Sequence, residues 1–562
     1  MDIHTQQGSA PALDFVTDFA LEAVVMSPSS VLGSLISIRF IAAYLVIFAA
    51  HGIAAPAKAQ VSEFQQAVAQ AAAQDEDLVA FYRAREFQGI WSGRGDRQRR
   101  NALMTAFSAA ADHGLPADRY DVEALMARLQ AARTPTEQGK LEVELSRLFL
   151  QYARDLQTGI LVPSRVVSEI HRQVPYRPRQ QTIAAFVQSN PSAFLRSLAP
   201  ASPEYTRLMR QKMQMERLLA QGGWGPTVPG TKLERGDTGA GVLALRNRLI
   251  TMGFLERTNT QTYDDTVFAA VQRFQRAHGL AMDGTAGPGT LREINRTVAE
   301  RLQSVIVAME RERWINRPKG ERHIWVNLTD FTAQVIDNDT VTFATRSVIG
   351  ARDDDRESPE FSDVMEFMVI NPSWYVPRSI ITKEYLPQLQ RNPNAVRQLI
   401  ITDSRGRVVD RNAVDFSRYT RTNFPYSMRQ PPSRGNALGL VKFMFPNRHN
   451  IYLHDTPAKS LFGRETRAYS HGCIRLADPF DFAYALLAPQ TADPEEFFQS
   501  QLRTGRERRV DLVEPVPVHL VYRTAFTHAE GPMQYRRDVY GRDARIWNAL
   551  AREGVAVRAV GG

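Results

Sequence analysis

The chain has 562 residues, a net charge of +9 and a single cysteine. This length corresponds to about three or four domains of roughly 100–200 residues each. Hydrophobic residues make up 43% of the chain and aromatic residues 9%, which excludes a collagen-like or mainly disordered protein. One cysteine excludes an intramolecular disulfide and any cysteine-rich zinc or iron–sulfur module.

The N-terminal region has the pattern of an export signal. An apolar run covers residues 41–50, and Ala57 and Ala59 are small residues at the positions that a signal peptidase reads. We therefore predict a signal peptide at residues 1–59. A membrane anchor is the alternative, but the run is shorter than the about 20 apolar residues that a spanning helix needs. Residues 1–25 contain four acids where a basic segment is expected, so we hypothesise that translation starts at Met26.

The net charge becomes more positive once the predicted leader is removed. The leader has two basic and four acidic residues, so the remaining 503 residues have a net charge of +11. A basic surface is typical of proteins that bind nucleic acid, membranes or other polyanions. Because export argues against nucleic acid, an acidic cell-wall polymer is the favoured partner, and a basic protein without such a partner is the alternative.

The first half of the chain is predicted to be helical. Residues 60–225 include alanine-rich stretches and apolar residues at helical spacing between Leu145 and Leu156. A Gly- and Pro-rich linker is predicted at residues 221–230. Residues 231–298 then form a compact unit for which the apolar spacing and the N-cap Thr290 predict three helices.

Beyond residue 320 the apolar pattern changes to a period of two, which predicts strands. Between residues 371 and 436 lies a polar segment rich in Arg, Pro and Asn, and so long an insertion between strands predicts a lid or binding flap. The residues from about Ala551 onward are expected to be loose. The predicted strands are 323–328, 341–345, 365–370, 441–445 and 450–454, with one or two more over 510–513 and 516–522.

The single thiol, Cys473, lies in the sequence Ser-His-Gly-Cys-Ile-Arg at residues 470–475. Asp478 and Pro479 are a favourable N-cap and first helical residue. Cys473 is therefore predicted on a tight loop just ahead of a helix, whereas a buried structural cysteine normally lies in an apolar stripe. His454 lies at the end of a predicted strand upstream of this loop.

These residue types fit nucleophilic catalysis by a thiol. A nearby imidazole can lower the pKa of a thiol, hold its proton and then protonate a leaving amine. Gly472 permits an unusual turn, and amides around Gly472 and Cys473 are suited to face an oxyanion. Arg475 is suited to bind a substrate carboxylate.

Two other interpretations of the thiol stay open at this point. His449, His454, His471 and Cys473 are candidate zinc ligands, although their spacing is irregular and a catalytic zinc would leave no separate base. Alternatively Cys473 is inert, although an exposed thiol in an exported protein is prone to oxidation.

At these residues the chain resembles the L,D-transpeptidases of the YkuD type. Their hallmark is a histidine on one strand followed, after a short spacer, by Ser-His-Gly-Cys-x-Arg, which His454 and residues 470–475 match completely. Three further segments are similar to the long periplasmic branch of that family, namely residues 371–377, 436–439 and 441–457.

The resemblance extends beyond this motif and implies an α+β multidomain architecture, exported to the periplasm. The implied parts are a helical scaffold domain (60–225), a small three-helix peptidoglycan-binding domain (231–298), a β-rich YkuD-like catalytic domain (299–545) with an inserted capping subdomain (about 371–436), and a C-terminal tail (546–562). The implied partners are peptidoglycan stem peptides, with no nucleic acid, no stable membrane span after processing, no cofactor and no metal.

The resemblance also implies a mechanism. Cys473 is the expected nucleophile toward the third residue of a tetrapeptide stem, and His454 is the proton donor and acceptor that assists release of D-Ala. The resulting thioester is passed to a second stem, which gives a 3→3 cross-link, and carbapenems are expected to acylate the same cysteine. Ser470, His471 and Gly472 are expected to support the oxyanion site, and Arg475 and Tyr452 to bind substrate. The third member of the catalytic triad is not assigned, since Asp455 follows His454.

Three alternatives to this function remain. The same site can use water as the acceptor, as an L,D-carboxypeptidase or hydrolase, or it can attach another amine or protein to peptidoglycan. A non-catalytic wall-binding scaffold is the alternative from a different class, and the presence of both His454 and Cys473 argues against it.

Overall fold

The computed structural model describes residues 61–353, 355–528 and 531–561. The predicted signal peptide, the alternative membrane anchor and the start at Met26 lie outside these residues. Within the described ranges, no helix is both long enough and apolar enough to cross a membrane.

The first region is helical, as predicted. Capping boxes begin its first and longest helices, formed by Ser62 with Gln65 and by Thr134 with Glu137. The apolar faces of the helices pack into one core. The helices are α1 Glu63–Ala72, α2 Glu76–Arg83, α3 Arg97–Ser108, α4 Val122–Ala131, α5 Pro135–Thr158, α6 Pro163–Val166, α7 Arg179–Gln188, α8 Pro191–Arg196 and α9 Pro203–Ala220, with 3₁₀ turns at Arg94–Asp96 and Ala117–Tyr120.

The second region contains three helices around a separate small core: α10 Ala240–Thr251, α11 Asp265–Ala277 and α12 Pro288–Ile294. The buried phenol of Tyr263 donates to the carbonyl of Gly284 (2.7 Å) and ties the segment before α11 to the turn after it. The helix that follows, α13 Val298–Trp314, packs its buried face into the core of the first region. The predicted boundary at residue 299 therefore cuts into a helix whose apolar face is shared with the helical region.

The third region is built on a nine-stranded sheet with strand order β10-β3-β11-β9-β8-β4-β12-β1-β2. The long strand β3 also pairs with β2, so the sheet closes on itself. Helices α16 Pro479–Leu487 and α17 Pro494–Arg503 follow β11. The strands of this sheet are β1 Arg322–Asn327, β2 Thr332–Asp337, β3 Thr340–Gly350, β4 Phe361–Ile370, β8 Val441–Met444, β9 Leu453–His454, β10 Ala468–Ser470, β11 Ile474–Leu476 and β12 Arg508–Val521.

The insertion between β4 and β8 has its own core, which includes Trp374, Leu389 and Phe424. Its three short strands, β5 Trp374–Tyr375, β6 Ile400–Thr402 and β7 Ser427–Gln430, pair in the order β5-β7-β6. Its helical segment consists of α14 Arg378–Ile380, a π-helical turn at Ile381–Tyr385 and α15 Leu386–Arg391.

The end of the chain differs from the prediction. Residues 546–562 were expected to form a tail, but helix α18 Arg542–Arg552 spans that boundary. Ile546, Leu550 and Val555 are buried in the core of the helical region, so apolar burial anchors this segment. A short hairpin precedes the helix, with strands β13 Ala525–Phe526 and β14 Gln534–Tyr535.

Three strand predictions also need correction. Strand β9 covers only residues 453–454, because the Asn447 side chain bonds to the backbone of His449 and Ile451 and holds the preceding residues in a turn. The two late strands are one strand, β12, with a register irregularity between Asp511 and Val516. The sequence did not predict strands β2, β10 and β11 of the main sheet. The α+β multidomain architecture itself is confirmed, with a helical N-terminal region, a small helical domain and a β-rich C-terminal domain.

Candidate active site

Two adjacent parallel strands bring His454 and Arg475 together. Strand β9 pairs with β11 so that His454 lies opposite Arg475 and Leu453 lies opposite Ile474. Leu453 and Ile474 are fully buried in the core of the sheet. Since side chains alternate along a strand, His454 and Arg475 project from the other face.

The loop before β11 is stabilised by its own side chains. Ser470 Oγ donates to the carbonyl of Cys473 (2.5 Å) and accepts from the amide of Gly472 (3.2 Å). Gly472 has φ = +107°, a backbone conformation that favours glycine, and a Cβ there would lie 3.1 Å from the Ile451 side chain, which would have to shift by a few tenths of an ångström. The Gly472 amide is thus occupied, whereas the Cys473 amide has no hydrogen-bond partner among the described residues.

The thiol of Cys473 is half-buried, and Sγ lies 3.5 Å from the backbone carbonyl of Asn450, to which it donates. Burial raises the pKa of this thiol to about 11, while hydrogen bonds from Tyr452 and the charge of Arg475 oppose the increase. The sequence suggests that an imidazole lowers this pKa, but the groups that lower it in the structure are Tyr452 and Arg475, and burial outweighs them because it disfavours the thiolate. Cys473 also does not directly precede a helix, since strand β11 intervenes before α16.

The ring of His454 is buried, and its Nδ1 donates to the backbone carbonyl of Asp455 (2.5 Å). Since a carbonyl only accepts, Nδ1 carries the proton in this bond and Nε2 of the neutral ring keeps its lone pair, while the backbone of Leu438 also interacts with the ring. Burial, followed by the positive charge of Arg475, lowers the pKa of His454 to about 3. His454 is therefore neutral at pH 7 and oriented by the backbone of the residue that follows it.

The side chain of Asp455 has a structural role. It accepts from the amide of Leu440 (2.9 Å) and from Lys459 Nζ (2.7 Å), so it braces the turn that enters β8. The orienting group for His454 is consequently a main-chain carbonyl, which sequence alone did not assign.

Arg475 interacts electrostatically with both candidate catalytic groups. Its charge lowers the pKa of His454 and that of Cys473. Its Nε is buried and has no hydrogen-bond partner among the described residues. This donor is available to an anionic ligand.

Tyr452 joins the insertion to the main sheet. It packs against the hydrophobic clusters of both, and its ring centroid lies 5.6 Å from that of His454. Burial, and then the adjacent Cys473, raise the pKa of Tyr452 well above its ordinary value. The phenol therefore stays protonated and can donate a hydrogen bond next to the thiol.

His471 turns away from the thiol and toward the insertion. Its Nε2 forms a 2.5 Å contact with Glu384 in the π-helical turn. The adjacent Lys383 forms an ion pair with Asp355, in the segment between β3 and β4. The His471–Glu384 contact connects the insertion to the loop that carries the motif, and the Lys383–Asp355 pair connects it to the segment between β3 and β4.

The four candidate zinc ligands do not converge. His449 stacks on His171 of the helical region at 4.1 Å between ring centroids, while His454 and His471 bond to Asp455 and Glu384. In the described part of the chain, no group of three or more His, Cys, Asp or Glu side chains is arranged to hold a metal ion.

Comparison with known families and proteins agrees with this geometry. The L,D-transpeptidase catalytic domain family (YkuD) matches residues 321–506. The chain carries a YkuD L,D-transpeptidase catalytic domain. The scaffold domain family matches residues 76–211, and the "Putative peptidoglycan binding domain" family matches residues 238–294. The resemblance seen in the sequence is thereby confirmed for all three kinds of domain.

Similar proteins cover only part of the chain. A "Putative L,D-transpeptidase" from Haemophilus influenzae is 30% identical over 242 residues, which are 43% of this chain and 48% of that protein. The match thus spans about half the length of this curated relative. The crystal structure of an L,D-transpeptidase from Xylanimonas cellulosilytica is 15% identical, with coverage of 53% of this chain and 100% of that chain, and its TM-score of 0.15 is too low to support an argument.

Hydrogen bonds from Ser358, inside the matched range, and from Tyr540 and Arg542, beyond it, support the loop that carries Cys473. Ser358 Oγ donates to the carbonyl of Gly472 (2.6 Å) and accepts from the amide of Gly350 (2.9 Å). The hydroxyl of Tyr540 donates to the carbonyl of Gly350 (2.7 Å), and fully buried Arg542 donates to the carbonyl of Ser358 (2.8 Å). Sequence reasoning missed these supports, because isolated Ser, Tyr and Arg residues carry no local signal of such a role.

Proposed function

We propose that this protein is a cysteine-dependent L,D-transpeptidase that forms 3→3 cross-links in peptidoglycan. The observation that carries the proposal is the pairing of β9 with β11, in which His454, neutral at pH 7, lies opposite Arg475, two residues after Cys473. The match of residues 321–506 to the YkuD catalytic domain supports the same reaction class.

The first half-reaction is acylation. Cys473 Sγ attacks the carbonyl carbon of the third residue of a tetrapeptide stem, and the thiol proton passes to His454 Nε2. The tetrahedral intermediate then collapses, the C–N bond to D-Ala breaks, and His454 returns the proton to the departing amine. The products are a thioester on Cys473 and free D-Ala.

The second half-reaction transfers the acyl group. The side-chain amine of a diaminopimelate in a second stem attacks the thioester and loses a proton to His454. The C–S bond breaks, the thiolate takes the proton back, and a 3→3 amide remains. No net oxidation or hydrolysis occurs, and the enzyme is regenerated.

The resting site favours a neutral thiol and a neutral imidazole. Because the pKa of Cys473 is about 11 and that of His454 about 3, the proton stays on sulfur until a substrate carbonyl is in reach. We assign stabilisation of the oxyanion to the Cys473 amide, with Ser470, His471 and Gly472 holding the loop. Arg475 is assigned to a substrate carboxylate and Tyr452 to a hydrogen bond beside the thiol.

The insertion is assigned a capping role. It contacts the motif loop through Glu384 and His471 and reaches the site through Tyr452. A cap that covers the bound stem would exclude water and favour an amine acceptor over hydrolysis.

Substrate and compartment follow from the domain composition. A peptidoglycan-binding domain beside a transpeptidase domain favours peptidoglycan stem peptides as partners and a cell-wall compartment as the place of action. Within that compartment we propose the periplasm, reached through the signal peptide predicted from the sequence.

Muropeptide analysis after incubation with purified tetrapeptide-bearing peptidoglycan tests the proposal. We expect 3→3 dimers and free D-Ala with the native protein and neither with Cys473→Ala, which should still bind sacculi. Tripeptides without dimers would identify an L,D-carboxypeptidase. Dimers of equal yield with Cys473→Ala would refute the cysteine mechanism, and an unreactive native protein that binds sacculi would favour the scaffold alternative.

A further inference from the structure

The helical region contains a cavity of about 500 Å³ that the catalytic mechanism does not use. It lies between the outer face of α5 and the segment that leads into α7. Its volume is in the range of small-ligand sites, roughly 300–1,000 Å³. The residues that line the cavity precede the first strand of the catalytic sheet by more than 130 positions in the sequence.

The lining of this cavity is strongly basic. Four arginines, Arg147, Arg154, Arg177 and Arg179, face a single acidic lining residue, Asp75, which leaves a net charge of +3. Clustered like charges destabilise a fold unless anions compensate them. Part of the excess positive charge of the chain is therefore concentrated at this cavity.

Two of these arginines already have partners and two do not. Arg179 forms two hydrogen bonds with Asp75, at 2.7 and 2.9 Å, and Arg147 lies 4.0 Å from the same carboxylate. Neither Arg154 nor Arg177 forms a side-chain hydrogen bond or ion pair with any residue in the described ranges. Two guanidinium groups are thus available to carboxylates, which they bind through paired N–H donors.

The remaining lining suits an extended, amphipathic ligand. Tyr176 is 49% exposed, and the Arg154 guanidinium lies 5.9 Å from its ring centroid. Gln151 and Thr182 add hydrogen-bonding groups, and Leu150 adds an apolar surface. Such a surface matches a short acidic peptide better than a compact inorganic anion, which needs no aromatic contact.

We propose that this cavity is a second binding site for an acidic peptidoglycan stem peptide, lined by none of the residues around Cys473. The inference rests on the proposed function for the identity of the ligand. A tetrapeptide stem with γ-linked glutamate and diaminopimelate carries several free carboxylates, so Arg154 and Arg177 can each engage one. Binding there holds a neighbouring stem on the scaffold while the catalytic domain acts on another.

The test uses full-length protein with Cys473→Ala, so that no turnover occurs, and titrates it calorimetrically with the free tetrapeptide L-Ala-γ-D-Glu-meso-diaminopimelate-D-Ala. We expect two binding sites. Adding Arg154→Gln and Arg177→Gln should remove one site or weaken it about tenfold or more, because two charge-assisted hydrogen bonds are lost. Arg94→Gln with Arg97→Gln, two exposed arginines of the same region, is the matched control and should leave both sites intact.

Two further probes complete the test. A tetrapeptide with amidated carboxylates should lose the arginine-dependent site, whereas inorganic phosphate at equal concentration should not displace the native tetrapeptide. Equal stoichiometry and affinity with and without Arg154→Gln/Arg177→Gln would overturn the proposal, and so would full displacement by phosphate, which would indicate a general anion site.

The result is separable from the proposed function. With Cys473 restored, Arg154→Gln/Arg177→Gln should form the carbapenem thioester at the native rate. Tetrapeptide binding at the cavity requires no cross-linking, so an arginine-dependent site in a protein that makes no 3→3 dimers would support the cavity and refute the reaction. Normal formation of 3→3 dimers by a protein that lacks the arginine-dependent site would support the proposed reaction and refute the cavity as a binding site.

Discussion

The hydroxyl of Ser358 donates a 2.6 Å hydrogen bond to the carbonyl of Gly472, a residue 114 positions later in the chain. Both groups are buried, and the same hydroxyl accepts from the Gly350 amide. The bond fixes the peptide plane that leads into Cys473. The loop with the nucleophile is therefore held from the segment before β4 as well as by its own Ser470.

Ser358→Ala should slow acylation of Cys473 without removing the nucleophile. The substitution leaves the Gly350 amide and the Gly472 carbonyl without their buried partner, at a cost of about 1–3 kcal/mol. We expect kcat to fall roughly tenfold with KM little changed, because the loop is misaligned rather than the stem unbound. Ser168→Ala, an exposed serine of the helical region, is the control. A rise in KM with unchanged kcat would contradict a positioning role for Ser358.

Carbapenem should acylate Cys473. Intact-protein mass spectrometry after incubation with a carbapenem should show one adduct on the native protein and none on Cys473→Ala. The chain contains no other cysteine, so the adduct has no alternative thiol to modify. An adduct of the same yield on Cys473→Ala would place the reaction elsewhere and refute the thioester.

His454→Ala should impair acylation far more than His471→Ala. His454 is neutral at pH 7 and is the proposed base, and general acid–base catalysis typically contributes roughly 10²–10⁴-fold. His471 contacts Glu384 at the surface, an interaction worth about 1 kcal/mol or less and hence about fivefold. The rate of carbapenem adduct formation, measured for each of the two variants and for the native protein, gives both effects. The opposite order would assign the base to His471.

Glu384→Ala should loosen the contact between the insertion and the motif loop. We expect KM for the stem peptide to rise a few-fold, consistent with a half-exposed pair worth about 1 kcal/mol or less. The effects of Glu384→Ala and His471→Ala should be less than additive in a double-mutant cycle, since each removes the same contact. Glu366→Ala, an exposed glutamate on β4, is the control. Full additivity would show that the two side chains act separately.

The free energy of unfolding should decrease as the pH falls from about 6.5 to about 4. Burial lowers the pKa of His113 and of His519 to about 4 and that of His454 to about 3. The ordinary value is about 6.5, so in this range the unfolded chain binds more protons than the folded one. The slope is at most about 1.4 kcal/mol per pH unit for each histidine.

Urea unfolding at about pH 7 and about pH 5 measures this slope. His519→Gln should flatten it by removing one buried titrating group, whereas His528→Asn, an exposed residue, should leave it unchanged. An equal slope in His519→Gln and the native protein would contradict the assignment to buried histidines.

The sequence by itself identified the domain families and the motif that contains Cys473. Ser-His-Gly-Cys-x-Arg, the upstream His454 and the change from helical to alternating periodicity are local patterns, readable over a few residues. The short strand β9 and the helix α18 were misjudged, because the first is cut short by the Asn447 side chain and the second is anchored by burial of Ile546 and Leu550.

Only the tertiary structure decided which residues hold the motif in place and which protonation states its side chains have. The Asp455 carbonyl that orients His454, the Ser358 hydroxyl beneath Gly472 and the basic cavity on α5 depend on contacts across the folded chain. The pKa of Cys473 shows the difference most directly. Sequence proximity to histidines predicted a lower value, but burial in the fold raises it, because the free energy of a charge depends on everything that replaces water around it.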